Sequence, residues 1–176
     1  MLALIAAATT TTFAAETASD SENVDIVISS DGVLSVVVEE SKVFPDVDYS
    51  FDEQVKDGEL TVTVTDLRGT AAGWTFNLRA NGNFEGANTT DSFPVSGLEL
   101  TFDSVTPISG NSDTTGIVGS GIPGVSTTGQ EIVDADQGYG NGEYDLLYLG
   151  ALTIPGDTLV DTYTTTLIVE VASAPS

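Results

Sequence analysis

Hydrophobic and polar residues alternate along this chain with a period of two rather than 3.6, and β-branched Val, Ile and Thr carry much of the alternation. The pattern predicts strands over residues 24–29 and 33–39, separated by Ser30-Asp31-Gly32, a turn signal that makes a hairpin one reading. Residues 60–67 (LTVTVTDL) alternate cleanly, and residues 73–80 (GWTFNLRA) do so again, with 68–72 as the connector. Asn81-Gly82 ends that second run with a turn dipeptide. Further strands are expected over 95–103, 146–154 and 163–172, the last two joined by Pro155-Gly156-Asp157. The Ser/Gly/Thr/Pro-rich stretch 104–130 reads as loops with one short strand, and the Gly-rich segment QGYGNGEYD, residues 137–145, as another loop. No amphipathic helix and no fixed-period repeat stands out. Short strands punctuated by Gly, Pro and Asn imply an all-β fold: a two-sheet sandwich or jelly-roll-like barrel with long Gly/Ser/Thr loops.

With 176 residues, the chain can bury a core without disulfides or metals, and one domain is expected. It contains no Cys and no His. A disulfide framework, thiolate zinc ligation and every Ser-His or Cys-His nucleophilic system are therefore out of reach. What remains for catalysis is a carboxylate pair, and 27 acidic residues generate such pairs by chance. The expectation is a non-enzymatic protein.

Only Lys42, Lys56, Arg68 and Arg79 oppose those acids, for a formal net charge of −23. Phosphate backbones are bound by cations that neutralise them, so nucleic acid is not an expected partner, nor is an anionic membrane. No stretch approaches the ~18 continuous apolar residues of a transmembrane segment. The first residues, MLALIAAATTTTFAAE, place an apolar run ahead of small residues. Residues 1–15 read as the remnant of a secretory signal cleaved near Ala15, although the positively charged start is missing. Residues 16–32 read as an N-terminal extension or an edge or donor strand, and 33–176 as the β domain.

Trp74 is the only Trp, and Phe76 and Leu78 follow it at every second position, so the three share one face of a strand. That face is either core beneath a second sheet or a platform for a sugar ring or partner strand. Asp66 and Arg68, one residue apart before the turn, suit a structural ion pair or ligand recognition. Asp134, Asp136, Glu143 and Asp145 cluster in sequence around the Gly-rich loop, where carboxylates and carbonyls could wrap a hard cation such as Ca²⁺, the one cofactor considered. Their spacing does not fit the helix-loop-helix calcium pattern. Asn88-Thr89-Thr90 matches the N-glycosylation acceptor.

The stretch LTVTVTDLRGTAAGWTFNL, residues 60–78, resembles the WxL family of surface proteins of Gram-positive bacteria. The likeness runs through Asp66, Arg68, Gly69, Thr70, Ala72, Gly73 and Trp74, with Phe76 where the family has Leu. The C-terminal IPGDTLVDTYTTTLIVEVASAP is similar to the family's second motif through its Pro-Gly-Asp turn and Tyr163, Thr166 and Leu167. Val169 and Val171 stand where the second Trp and Leu would be. The Gly-rich loop also has a counterpart in the family. The resemblance implies a secreted β domain attached non-covalently to the cell wall through peptidoglycan or another surface polymer, located extracellularly at the cell surface. Together with the strand face and the Asp66/Arg68 pair, it leaves Trp74, Phe76, Leu78, Asp66, Arg68 and Tyr163 as the candidate binding residues. The alternative is a self-assembling subunit of an extracellular filament or layer, whose N-terminal strand adds to a sheet edge of another copy.

Overall fold

The computed structural model of the chain describes residues 17–21, 32–38 and 44–174. The signal-like segment 1–15 and the predicted strand 24–29 lie outside them. Twelve strands are described: β1 (Thr17–Ser21), β2 (Leu34–Val38), β3 (Gln54–Asp66), β4 (Trp74–Ala80), β5 (Phe84–Gly86), β6 (Ser92–Phe93), β7 (Leu98–Gly110), β8 (Ile117–Gly119), β9 (Gln130–Ala135), β10 (Gly142–Ile154), β11 (Tyr163–Thr164) and β12 (Leu167–Ser173). One 3₁₀ turn, Val95–Gly97, is the only helical element among the described residues.

Two antiparallel sheets form the body, one ordered β1-β12-β4-β9-β8 and the other β2-β3-β10-β7; a small third sheet runs β11-β5-β6. None closes into a barrel, so of the two architectures the sequence allowed, the sandwich is the one adopted. The core follows from the alternation. On β4, Trp74, Phe76, Leu78 and Ala80 are buried, and on β3 Leu60, Val62 and Val64 are, while the residues between them are half-buried. On β12, Val169 and Val171 pair with Leu78 and Phe76 and are equally buried. The other sheet supplies Tyr144, Leu146 and Tyr148 from β10. Tyr148 donates its hydroxyl to the Ile132 carbonyl at 3.1 Å and Tyr144 donates to the Asn111 carbonyl at 2.6 Å. Each buried phenol thus keeps a partner.

Several strands exceed or escape the sequence pattern. β3 begins at Gln54, because all thirteen of its residues pair with β10, from Gly142↔Asp66 to Ile154↔Gln54. β7 continues to Gly110 on the same partner. β9 falls almost wholly between the two segments expected to be loops, and its alternation is broken by a bulge opposite Phe76/Asn77; Ile132 and Val133 are consecutive and both buried. β1, with the polar sequence TASDS, pairs with β12 inside its own chain.

Candidate functional site

The turn of the first family-like motif and the Gly-rich loop meet at one end of the sandwich, where β3 ends and β10 begins. Asp66 is 1% exposed, an unusual place for a carboxylate, and Arg68 answers it from two residues on. The guanidinium donates Nε to Oδ1 at 2.9 Å and NH2 to Oδ2 at 2.8 Å, and the Arg68 backbone N–H donates to Oδ1 at 3.0 Å. The same guanidinium donates to the Gly73 carbonyl at 2.8 Å and to the Ser173 hydroxyl. Arg68 therefore ties the turn after β3 to the end of β12, the ion-pair arrangement that was one of the two readings of its spacing to Asp66.

The glycines of that turn have a geometric cause. Gly73 has φ +77°, and any side chain there would run into the backbone of Ala135 and Asp136. Trp74 follows directly and is fully buried, with its indole Nε1 donating to the Gly140 carbonyl at 3.0 Å. Gly140, at φ +72°, lies against the indole where a Cβ would collide. The Gly138 N–H donates to the Ala71 carbonyl at 2.8 Å. The Gly-rich loop is thus a lid over the Trp74 ring. Trp74, Phe76 and Leu78 have no exposed surface, so the face proposed as a sugar platform is the inner face of the sandwich. In this conformation it is core.

The four acidic residues considered for Ca²⁺ do not converge. Asp134 is on β9, half-buried between inward-facing neighbours, and so lies on the outer face of its sheet. Glu143 and Asp145 lie on the outer face of the opposite sheet, where Asp145 accepts from the Thr63 hydroxyl at 2.7 Å. Asp136 is exposed beyond β9. Among the described residues no group of three or more His, Cys, Asp or Glu is arranged to hold a metal ion. Asn88 is exposed, but its Nδ2, the atom a glycan would occupy, donates to Asp161 Oδ1 at 2.8 Å.

At the other end of the sandwich the two sheets part around a groove of about 770 Å³. Its deep lining is apolar and includes Leu60, Leu98, Leu100, Leu152, Phe84 and Phe93. One wall is the irregular segment 44–50; the other is the connection from β10 to β12, residues 155–165. The walls touch where the Asp157 N–H donates to the Ser50 carbonyl at 3.0 Å and the Tyr49 hydroxyl donates to Asp157 Oδ1 at 3.2 Å. Large apolar groups remain in solvent at the mouth: Tyr49 is 50% exposed, Leu159 53% and Val160 83%. Phe51, 78% exposed, packs edge-on against Tyr49 with ring centroids 5.3 Å apart.

Two carboxylates pin the 155–165 wall. Asp161 accepts five hydrogen bonds: from the N–H and Nδ2 of Asn88, the N–H and hydroxyl of Thr89, and the N–H of Thr162. The Asn88 backbone bond, aided by its amide and the remaining donors, holds the Asp161 carboxyl far below the usual carboxylate range. Asp91 accepts from the Leu159 N–H at 3.1 Å and from the Tyr163 hydroxyl at 2.9 Å, and these two bonds lower it in the same direction. Tyr163 and Leu167, matched in the second motif, line this groove with Pro155 of the Pro-Gly-Asp turn. Of the candidate binding residues only Tyr163 reaches it; the others lie in the core or at the opposite end. Sequence reading missed Tyr49, Leu159 and Val160, whose one signal is an apolar residue inside an otherwise polar, Asp-rich loop.

Among the described residues no helix is long and apolar enough to cross a membrane. Neither the curated proteins nor the solved structures compared with this chain include a match. The family described as "WxL domain surface cell wall-binding" matches residues 5–175, nearly the whole sequence. That match agrees with the turn, lid and C-terminal motifs seen above, and the chain belongs to the WxL domain family of surface cell-wall-binding domains.

Proposed function

We propose that this chain is an extracellular, non-enzymatic domain that attaches to the cell wall through peptidoglycan, and that the contact is made at the groove end of the sandwich. The observation that carries the reading is the groove itself. It is an open, apolar-floored cleft with Tyr49, Leu159 and Val160 in solvent, on a domain whose family binds cell wall. At the motif end Trp74 is enclosed and Arg68 is bound to Asp66, and the exposed apolar residues Leu67, Ile108 and Val118 lie outside the groove. Net charge supports peptidoglycan over the phosphate-rich polymers of a wall, since −23 repels polyanions. The test is co-sedimentation of the folded protein with purified sacculi at physiological salt. Saturable binding that is lost in Leu159→Ser/Val160→Ser supports the reading, and absence of binding by the wild type ends it.

The filament alternative needs β1 to leave β12 and pair with another copy. Its pairing within the same chain, from Thr17↔Ala172 to Ser21↔Ile168, already fills the outer edge of β12. Monomers are therefore the expected species in electron micrographs of the secreted protein.

A further inference from the structure

The groove's chemistry narrows its ligand. A cavity of about 770 Å³ between two sheets is in the range of small-molecule and peptide sites, and well-packed sandwiches do not leave such a space over buried leucines. Its floor asks for apolar ligand atoms. Its mouth carries Asp46 and Asp48 from one wall, with Glu59 beside them on β3. No Lys or Arg is among the described residues that line it; Lys56 on β3 stands outside the lining, and Lys42 lies outside the described residues. Asp161 and Asp91 are occupied by their own loops, whereas no side-chain hydrogen bond is found to the carboxylates of Asp46 and Asp48 among the described residues. A ligand whose apolar body fills the floor and whose positive head stays at the rim complements both features.

Resting on the wall-binding reading, we infer that the groove takes an extended, amine-bearing peptide, with apolar side chains on the Leu100 and Leu152 floor and its ammonium group near Asp46 and Asp48. In peptidoglycan, peptide stems with free amines carry both an apolar side-chain surface and a positive head. Recognition here discriminates by charge at the rim and by apolar contact below it. The amine's affinity is therefore salt-sensitive, and the apolar contribution is not.

The experiment uses the full chain and three synthetic hexapeptides of alternating leucine and alanine, identical except for a terminal lysine, glutamine or glutamate. Binding is followed by calorimetry and by backbone amide NMR shifts at two salt concentrations. The expected order is lysine, then glutamine, then glutamate, with about a tenfold span at low salt that narrows at high salt. The shifts should centre on Tyr49, Leu159 and Val160. Asp46→Asn/Asp48→Asn should weaken the lysine peptide by roughly fivefold and leave the glutamine peptide unchanged. Equal affinities for the three, shifts centred on the Gly-rich lid, or no binding of any peptide would overturn the inference. Sacculus binding without peptide binding would leave wall attachment standing and remove only this assignment; peptide binding without sacculus binding would do the reverse.

Discussion

The two ends of the sandwich are built on opposite principles. At the motif end the buried charge pair, the tryptophan and the turn glycines are consumed by the fold. Asp66 is matched by Arg68, the Trp74 indole is capped by Gly140, and the turn glycines occupy backbone angles or spaces that a side chain would not tolerate. At the groove end the apolar residues stay in solvent, and the carboxylates hold loops rather than core. The residues of the first motif therefore serve the fold, while Tyr163 and Leu167 of the second motif line the groove proposed as the binding surface.

The comparison breaks most visibly at Trp74. Trp74→Ala removes the largest fully buried side chain together with its hydrogen bond, and should cost about 3–5 kcal/mol, a fall in melting temperature on the order of 10 °C. Thermal unfolding by circular dichroism measures it. Arg68→Ala leaves Asp66 buried without its partner and should cost about 3 kcal/mol, read in a urea titration. Gly140→Ala places a methyl group against the indole at a left-handed backbone angle, with an expected loss of about 2 kcal/mol.

Acid sharpens the contrast. The folded-state pKa values of Asp161 and Asp91 are depressed, so each contributes stability that is present above the unfolded value of about 3.9 and is lost as pH falls through the folded value. The melting-temperature advantage of the wild type over Asp161→Asn should hold at neutral pH and shrink only below about pH 3.9. An advantage that vanished between pH 5 and 7 would contradict the hydrogen-bond count. The smallest stability effect is at the rim. Leu159→Ser/Val160→Ser should change unfolding free energy by less than about 0.5 kcal/mol per site, since both side chains are largely in solvent.

Much of the fold was legible because strand alternation and burial share one cause. The runs at 60–67 and 73–80 overlap β3 and β4 to within one residue, and the shared face of Trp74, Phe76 and Leu78, left open between core and platform, is core. β9 was missed because a bulge at Ile132 breaks the period, and the bounds of β1, inside the segment 16–32 read as an extension or edge or donor strand, were not legible because TASDS carries no alternating hydrophobic signal. β5, β6 and β8 are two or three residues long and exist through pairing alone. The candidate site was less legible for a related reason. An apolar residue in a loop, such as Leu159, looks the same in sequence whether it packs inward or stays out, and only the separation of the sheets at this end makes a groove beside it. The spacing of Asp134, Asp136, Glu143 and Asp145 misled in the opposite way, because residues close in sequence were sent to opposite outer faces by β9 and β10.

The central claim is that one end of the domain secures the fold and the other binds. Sacculus affinity, measured alongside melting temperature, tests it for Leu159→Ser/Val160→Ser and for Gly140→Ala at a temperature where the latter is fully folded. The account predicts that the rim variant keeps its melting temperature and loses binding, while the lid variant melts early and binds like the wild type. A rim variant that binds normally, paired with a folded lid variant that does not, would contradict it.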